Sequence, residues 1–374
     1  MKIKAAVLNE MGAEAPYTNS KPLRIEDIDL QPPGPGEIMV KMAAAGLCHS
    51  DLSVINGSRP RPTPMVLGHE AAGIVEEVGD FVTDLKVGDH VVMVFVPSCG
   101  HCLPCCEGRP ALCEPGAESN NAGTLISGGS RLSRNEESVS HHLGVSAFAE
   151  YATMSRNSVI KIDKDLPLDQ AALFGCAVLT GVGAVVNTGK VEPGSTVAVV
   201  GLGGVGLASI LGARLSGASR IVAVDLDDSK LALAKELGAT DCFNARSPDC
   251  VGEIREATQG GVNYAFELAG AVPALETAYN VTRRGGTTVT AGLPHPDKRF
   301  ALAPVSLVAE ERTLKGSYIG TSVPMRDIPR YISLFRQGRL PVDRLLTGHL
   351  KLENINEGFD LMAQGKAVRQ VITF

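Results

Sequence analysis

Four cysteines crowd into fifteen residues, where successive thiols lie three, three and eight positions apart: Cys99, Cys102, Cys105 and Cys113. Four thiolates held this closely favour a closed tetrahedral zinc site, whose role would be structural because no coordination position is open. An iron–sulfur cluster also takes four thiolates, and a zinc ribbon that binds nucleic acid is a further alternative. Cys105 fits the spacing better than its neighbour Cys106, and His101 is interpreted as solvent-facing.

A second set of metal-binding residue types is dispersed along the chain, in the segments 46–51, 68–70 and 175–176. Each segment is weak evidence by itself, since a lone buried Cys or His usually belongs to the packed core. Together Cys48, His69 and Cys176 supply two thiolates and one imidazole, which is the ligand set of a catalytic zinc with one open position. Zinc held in this way can bind an alcohol and lower its pKa, which prepares the alcohol carbon for loss of hydride.

A glycine-rich turn, Gly201-x-Gly203-x-x-Gly206, follows the strand predicted at Thr196–Val200 and opens the helix predicted at Leu202–Leu215. In a dinucleotide site the first glycine makes the turn, the second admits the pyrophosphate, and the third lets helix and strand pack closely. Asp225 follows nineteen residues after Gly206, where its carboxylate can bind the ribose hydroxyls and repel a 2′-phosphate. The pattern predicts NAD rather than NADP, with Lys230 as a second ribose contact.

The chain of 374 residues is long enough for two domains. A net charge of −6 disfavours nucleic acid and anionic membranes as partners. The first residues carry no apolar signal segment, and the uncharged stretches Ala171–Gly189 and Ser195–Ala213 are interpreted as buried elements rather than membrane spans. Crowded cysteines without a secretory signal indicate metal binding and a reducing compartment, so we expect a cytoplasmic protein.

Two kinds of pattern divide the chain. The first third has short apolar runs typical of strands, at Ile38–Val40, Ala71–Val78 and His90–Val96. From about Gly194, strands alternate with helices, which predicts a parallel sheet. The predicted elements are strands at Ile221–Asp225, Val262–Leu268 and Thr287–Ala291, and helices at Asp228–Leu237, from Ser247, and at Asp327–Arg336. Glu118–Glu137 is predicted to be an exposed loop, and His141 and His142 are interpreted as loop residues.

These motifs, with a closing Ile355-Asn356-Glu357-Gly358-Phe359, stand in the order found in the zinc-dependent medium-chain alcohol dehydrogenases, and the chain resembles that family over essentially its whole length. The resemblance implies an α/β protein in which a GroES-like β-rich catalytic domain, residues 1–177 and 321–374, is interrupted by a doubly wound Rossmann domain with a parallel sheet, residues 178–320. It implies an active site in the cleft, one catalytic and one structural zinc in each subunit, NAD as cofactor, and an alcohol or aldehyde as substrate.

The resemblance also implies roles for single residues. Asp51 would hydrogen-bond His69 and fix its ring. Glu70 would assist ligand exchange at the metal, and Ser50 would take the proton of the bound alcohol. His49 and Arg369 would contact the cofactor pyrophosphate. Phe95 and Leu143 are candidates for lining an apolar substrate pocket, with plain core packing as the alternative.

Departures from the family pattern narrow the function. Ser53 stands where liver-type members have the His that finishes the proton relay, so the proton must leave by another route. The segment 114–118 lacks the basic residue with which glutathione-dependent formaldehyde dehydrogenases hold their substrate, which weakens that alternative. Polyol dehydrogenases usually have Glu as third ligand, whereas this chain offers Cys176. A zinc-stabilised scaffold without turnover is the remaining alternative. The long segment between Cys113 and Phe148 resembles the loop of the dimeric family members more than the shorter loop of the tetrameric ones, and this resemblance implies a homodimer.

Overall fold

The structure is a computed structural model that describes all residues from Met1 to Phe374. Its strands, numbered in chain order, are β1 (Lys2–Leu8), β2 (Leu23–Leu30), β3 (Glu37–Gly46), β4 (Met65–Val66), β5 (Glu70–Val78), β6 (His90–Met93), β7 (Leu132–Arg134), β8 (Glu137–His141), β9 (Tyr151–Ser155), β10 (Val159–Ile162), β11 (Thr196–Val200), β12 (Arg220–Asp225), β13 (Asp241–Asn244), β14 (Val262–Glu267), β15 (Thr282–Thr290), β16 (Thr313–Gly316), β17 (Gly348–Leu350) and β18 (Gln370–Thr373).

The α-helices are α1 (Tyr17–Ser20), α2 (His49–Ile55), α3 (Leu103–Cys106), α4 (Glu114–Ala122), α5 (Leu168–Ala171), α6 (Ala177–Gly183), α7 (Gly204–Leu215), α8 (Asp228–Leu237), α9 (Cys250–Ala257), α10 (Val272–Val281), α11 (Pro304–Ala309), α12 (Pro324–Arg336) and α13 (Ile355–Ala363). Helix α6 continues as a π-helical segment, Ala184–Gly189.

The chain forms two compact units. One comprises Met1–Cys176, Val323–Ile332 and Leu346–Phe374, and the other comprises Ala177–Ser322 and Ser333–Leu345. The second unit is thus inserted into the sequence of the first. The segment Ser333–Leu345 groups with the inserted unit, although the sequence placed it with the catalytic domain. The domain assignment itself, residues 1–177 with 321–374 against 178–320, stays a prediction.

The first unit is rich in strands, as its short apolar runs predict, and its pairs are antiparallel except for β4 with β8 and β17 with β18. Strands β1, β2, β7, β8 and β4 close into a barrel, and β10, β6, β5, β3, β18 and β17 form a sheet in that order, with β9 also paired to β3. Alternate residues of β1, namely Ile3, Ala5 and Val7, point into one buried apolar cluster together with Ile28 and Leu30 of β2. Strand β18 pairs with the end of β3, where Val371 lies opposite Gly46.

The second unit contains a parallel sheet of six strands in the order β13, β12, β11, β14, β15, β16. The first strand along the chain lies in the middle, and the order reverses on either side of it, which is the doubly wound arrangement. Strand β11 is apolar and buried from Val197 to Val200 because helices cover both faces of such a sheet. The predicted α/β fold class is confirmed.

Only residues 123–131 of the segment 118–137 form a loop, so the prediction of one exposed loop is wrong at both ends of the segment. Helix α4 occupies Glu114–Ala122, and β7 and β8 follow it. Pro115 in the first turn, the Cys113 side chain that accepts a hydrogen bond from the Gly116 N–H, and Gly123 with φ 70° after the last turn together define the helix. The sequence did not indicate this helix because the residues that α4 buries, Gly116, Ser119 and Asn120, are not apolar side chains at helical spacing. Helix α9 begins at Cys250 rather than at Ser247.

No single helix is both long and apolar enough to cross a bilayer, and only a bent pair, Leu168–Gly175 with Ala177–Gly189, has the length and composition. The uncharged stretch Ser195–Ala213 divides between β11 and α7. The sequence interpretation of both stretches as buried elements agrees with their low exposure.

Candidate active site

Two loops at strand ends and one residue between helical segments place the dispersed Cys₂His set. Cys48 follows β3 and precedes the first turn of α2, in an extended conformation with φ −131°. His69 lies between β4 and β5, and Cys176 lies between a 3₁₀ turn at Ala172–Gly175 and helix α6. Gly68, with φ +92°, lets the chain turn beside Phe148, whose backbone nitrogen would lie 2.6 Å from an added Cβ. Any side chain at position 68 would therefore displace the neighbouring His69.

The three residues converge in the first unit. Their Sγ and Nε2 atoms all lie within 4.8 Å of one another, and all three side chains are buried. The Cys176 Sγ lies 3.6 Å from the His69 Nε2. With Zn–S near 2.3 Å, Zn–N near 2.0–2.1 Å and tetrahedral angles, two such ligands are expected about 3.6 Å apart. The donor set and its spacing thus fit a tetrahedral zinc ion that has one position left for another ligand.

The electrostatics of this cluster suit a cation. A hydrogen bond from the Cys176 thiol lowers the pKa of Cys48 well below its usual value, and the same contact raises the pKa of Cys176. Burial opposes a charge on His69, but Asp51 and the Cys48 thiolate outweigh it and raise the pKa of that ring. Zinc binding at this site would release protons, because its ligands must be deprotonated.

Asp51, in the first turn of α2, is fully buried beside His69. Its Oδ1 lies 3.1 Å from the His69 Nδ1, so that the ring presents Nε2 to the thiols. Burial raises the pKa of Asp51, but His69 and His142 outweigh that effect and lower it. This contact between Asp51 and His69 is the one that the family resemblance implies.

The interpretation of His141 and His142 as loop residues is wrong for His141, which ends a strand, and right for His142, which follows that strand; both side chains are buried. His141 ends β8 and is fully buried, with its Nε2 accepting a hydrogen bond from the Arg131 N–H. The His142 side chain is 2% exposed, and its Nδ1 lies 3.1 Å from Asp51. The sequence argument that neighbouring strand residues face opposite ways is correct, but here both faces are buried.

Glu70 and Arg369 form a second buried pair at the site. The Arg369 guanidinium lies 3.3 Å from a Glu70 oxygen and donates to the Leu47 carbonyl. Burial raises the pKa of Glu70 to about 7, although Arg369 opposes that shift. The negative charge of the Cys48 thiolate also raises the pKa of Glu70, which is the effect expected of a carboxylate close to this ligand. The role of Glu70 in ligand exchange stays a prediction. Arg369 is 4% exposed, and its pyrophosphate contact stays a prediction.

The remaining predicted residues of this unit lie around the same centre. The Phe95 ring packs edge-on against the His69 ring, with centroids 5.2 Å apart, and Leu143 is also buried. Ser50 is half-buried and His49 exposed in the first turn of α2. The Ser53 hydroxyl donates to the His49 carbonyl one turn back, so it is engaged within its own helix. The roles of Ser50 and His49 stay predictions.

The four-cysteine lobe is also brought together. The Sγ atoms of Cys99, Cys102, Cys105 and Cys113 lie within 4.8 Å of one another. Backbone N–H groups of Cys102, Cys99 and Gly116 donate to sulfur at 3.2–3.4 Å, which favours thiolates. Burial would raise the pKa of Cys99, but N–H groups of His101 and Cys102 lower it to about 7. His101 is exposed, as predicted, and Cys105 rather than the exposed Cys106 joins the group, as its spacing predicts.

Loss of a metal bound by the four-cysteine group Cys99, Cys102, Cys105 and Cys113 is expected to lower the stability of the fold rather than to impair the reaction directly. Cys113→Ser removes a buried thiol that also caps α4, and we expect a loss on the order of 4 kcal/mol, typical of a lost structural metal. Thermal unfolding followed by circular dichroism measures this. Cys106→Ser, at an exposed thiol in the same lobe, is the control and should leave Tm unchanged. Equal Tm values for both variants would contradict a metal site here.

The glycine-rich turn of the second unit has the geometry of a dinucleotide site. Gly201 has φ +93°, and a Cβ there would meet the Ala269 backbone nitrogen at 2.6 Å. A Cβ on Gly206 would lie 1.8 Å from the Gly201 carbonyl oxygen, so β11 and α7 need a glycine to pack. Gly203 has no atom within 4 Å of such a Cβ, which leaves an open approach to the α7 N-terminus. That open side can admit a phosphate group.

Asp225 ends β12 beside this turn. Its two carboxylate oxygens accept hydrogen bonds from the N–H groups of Leu202, at 2.7 Å, and Asp227, at 3.1 Å. These bonds hold the carboxylate next to the glycine-rich turn while it remains half-buried. Lys230 lies in the first turn of α8, half-buried. The structure thus brings together the glycines and Asp225, and their binding roles stay predictions.

Comparison with known families agrees with both units. Residues 34–164 match the alcohol dehydrogenase GroES-like domain, and residues 204–337 match the zinc-binding dehydrogenase family.

Solved structures resemble the chain over its whole length. An alcohol dehydrogenase zinc-binding domain protein from Burkholderia ambifaria is 37% identical and has a TM-score of 0.94, and the aligned region covers 100% of this chain and 99% of the Burkholderia chain. Benzyl alcohol dehydrogenase from Acinetobacter calcoaceticus is 34% identical with a TM-score of 0.93, covering 100% and 99%. A zinc-binding dehydrogenase from Sinorhizobium meliloti 1021, bound to NADP, is 26% identical with a TM-score of 0.82 and coverage of 100% for both chains. Together with the converging ligand set, these matches establish that the chain belongs to the zinc-dependent medium-chain alcohol dehydrogenase family of oxidoreductases.

Proposed function

We propose that the protein catalyses the reversible, NAD-linked oxidation of a primary alcohol to its aldehyde. The observation that carries this proposal is the buried Cys48–His69–Cys176 group, with 3.6 Å between the Cys176 sulfur and the His69 Nε2. Zinc bound there would polarise the alcohol oxygen and lower its pKa. Two thiolates offset the metal's charge, so that the oxygen would be stabilised without being trapped.

The chain's own residues would prepare the alcohol for reaction. Ser50, two residues after Cys48 and half-buried, would accept the hydroxyl proton and pass it to water, since Ser53 is bonded within α2. Phe95, packed against the His69 ring, would hold an apolar substrate and exclude water. Glu70, with its pKa raised to about 7 by burial, is available beside the metal for ligand exchange.

An apolar substrate, whether aliphatic, allylic or aromatic, is the class supported by the residues around the centre. Phe95 packs against the His69 ring, and Leu143 is buried directly after His142 in the chain. The benzyl alcohol dehydrogenase among the similar structures acts, by its name, on an aromatic alcohol. The segment after the cysteine lobe begins α4 with Glu114 in its first turn, which offers nothing basic for a glutathione carboxylate.

The test is NADH formation, followed by near-ultraviolet absorbance, with the full chain and a panel of aliphatic, allylic, benzylic and S-hydroxymethylglutathione substrates. We expect turnover of free alcohols that is lost after chelation and regained with zinc. Turnover of the glutathione adduct alone would replace the proposed substrate class. No turnover with any alcohol, despite bound zinc and NAD, would favour the scaffold alternative.

We propose NAD rather than NADP as the cofactor because the Asp225 carboxylate, held by Leu202 and Asp227, would repel a 2′-phosphate. Asp225→Gly removes that charge, and we expect the ratio of kcat/KM with NAD to that with NADP to fall at least about tenfold. The matched control is Asp228→Ala, a nearby exposed carboxylate in the first turn of α8. An unchanged ratio in the glycine variant would remove Asp225 from cofactor selection.

We propose a homodimer as the working assembly. Strand β16 forms one edge of the parallel sheet and has mostly exposed residues. An open edge is a template for pairing with another strand. Helix α11, which precedes β16, exposes Val305 and Val308 at 70% and 79%. Size-exclusion chromatography with light scattering should give twice the monomer mass, and Val308→Asp should shift it toward monomer. A monomeric parent protein would contradict the proposal.

We propose a reducing compartment, the cytoplasm, as the location. All nine cysteines are free thiols, including the four in the lobe, where Sγ atoms lie within 4.8 Å of one another. Such proximity without disulfides suits metal ligands kept reduced. Fluorescent tagging with fractionation checks the location.

A further inference from the structure

A second histidine bears on the Asp51–His69 pair. His142 follows the end of β8, and its Nδ1 lies 3.1 Å from the Asp51 Oδ1 with a side chain only 2% exposed. Its ring crosses the His69 ring at 82°, with centroids 5.5 Å apart. The His142 Nδ1 and the Asp51 Oδ1 are thus in close polar contact, although their geometry is not that of a hydrogen bond. His142 therefore contacts both the carboxylate and the ring that the carboxylate orients.

A tight turn holds His142 in this position. Its N–H donates to the Ser146 hydroxyl at 2.9 Å, and its carbonyl accepts from the N–H groups of Val145 and Ser146. Ser146 is fully buried and so is Phe148 beyond it. Both backbone polar groups of His142 are therefore hydrogen-bonded within the turn, which fixes the position of the residue that carries the ring.

Three nitrogen atoms converge on one oxygen of Asp51. The Gly68 N–H, the His69 Nδ1 and the His142 Nδ1 all lie 3.1 Å from Oδ1. The other oxygen, Oδ2, is buried without a hydrogen-bond partner. A carboxylate with only one engaged oxygen can rotate, which would turn the His69 ring away from Cys48 and Cys176. The His142 ring opposes that rotation because it lies against Oδ1 and packs edge-on against the His69 ring, so the carboxylate cannot turn without displacing it.

We propose that His142 is a positioning residue of the metal centre: it holds the Asp51 carboxylate and thereby keeps the His69 Nε2 directed at the two thiols. This inference rests on the proposed zinc function. Asp51, His69 and His142 also lie close enough to hold a separate ion. We favour the supporting role because His69 offers its Nε2 to the thiols and its Nδ1 to Asp51.

The test uses the full chain with cobalt(II) in place of zinc, and measures the visible spectrum and the rate of metal release to a chromogenic chelator. His142→Phe keeps the ring volume without a donor, and we expect metal affinity to fall about 10- to 100-fold with shifted cobalt bands. His142→Asn places an amide nitrogen near the former Nδ1 and should restore most of both properties. His142→Gln, whose amide lies further out, should resemble the phenylalanine variant.

His141→Phe is the matched control, since His141 is the buried neighbour that contacts Arg131 instead. It should lower Tm while leaving the spectrum and the release rate unchanged. Wild-type spectrum and release rate in both His142→Phe and His142→Gln would overturn the proposal. So would the loss of one whole metal equivalent in these variants, which would make His142 a ligand of a separate ion. Failure of the parent protein to bind cobalt at Cys48, His69 and Cys176 would instead contradict the zinc function itself.

Discussion

Cys176→Ala is expected to lower turnover by on the order of 10³-fold or more, since a metal that polarises the reacting oxygen contributes several kcal/mol to the transition state. The reason is geometric: the Cys176 Sγ lies 3.6 Å from the His69 Nε2, and two ligands alone cannot complete the site. NAD binding should be unchanged because the glycine-rich turn belongs to the other unit. Steady-state kinetics and fluorescence titration with NADH measure the two effects.

Cys242→Ala is the matched control for this variant. Cys242 is a half-buried free thiol in β13 of the inserted unit and belongs to neither cysteine group. It should keep parental kcat and NADH affinity. Retained turnover in Cys176→Ala would show that the reaction does not use this ligand set. Parallel loss of NADH binding would instead indicate a folding defect.

Arg131→Met should destabilise the protein by about 3–5 kcal/mol, the typical cost of leaving a buried charge without its partner. Glu37 is fully buried, and Arg131 donates to its two oxygens at 2.7 and 3.0 Å. Chemical denaturation at neutral pH measures the loss. Lys2→Met, which removes an exposed pair with Asp29, is the control and should cost at most about 1 kcal/mol. Glu37→Gln added to Arg131→Met should recover part of the stability.

The same pair has a pH dependence with a definite sign. Burial raises the pKa of Glu37, but the hydrogen bonds from Arg131, Ser127 and Gly34 outweigh it and lower the pKa below the usual value of a glutamate. Its stabilising contribution is therefore complete above that value and lost as pH falls through the folded-state pKa. In Arg131→Met burial acts without the guanidinium, so the penalty should be largest at neutral pH and shrink in acid. A penalty that grows in acid would contradict this account.

Residue types predicted the site better than they predicted its surroundings. The ligands Cys48, His69 and Cys176 follow from a chemistry that only a few side chains can supply, and the fold does bring them together. The glycines of the nucleotide turn were predictable for a similar reason, because Gly206 has no room for a Cβ. Strands β11 and β12 were predicted within one residue of their bounds, since continuous β-branched runs mark buried parallel strands.

The sequence missed what depends on long-range packing. The contact of the loop residue His142 with Asp51 was missed because nothing local shows that the chain brings His142 to a residue ninety-one positions earlier. Strands β13 and β16 escaped notice because they lie at the edges of the parallel sheet, where one side is solvated and the apolar pattern is weak. The helix at residues 114–122 is capped by the Cys113 thiol, and cysteine is not among the residue types from which a helix start is normally predicted.

The first unit is divided in the sequence, and its last segment, Leu346–Phe374, is translated after the inserted unit. Strand β18, which pairs with the strand leading into Cys48, leaves the ribosome after the whole inserted unit. Domains generally fold as units while synthesis proceeds. The nucleotide-binding unit can therefore assemble on the nascent chain while the cysteine ligands still lack the strand beside them. Until residues 346–374 emerge, β3 lacks the partner strand β18 beside Gly46, two residues before Cys48, so translation of the last segment completes the surroundings of the proposed metal site.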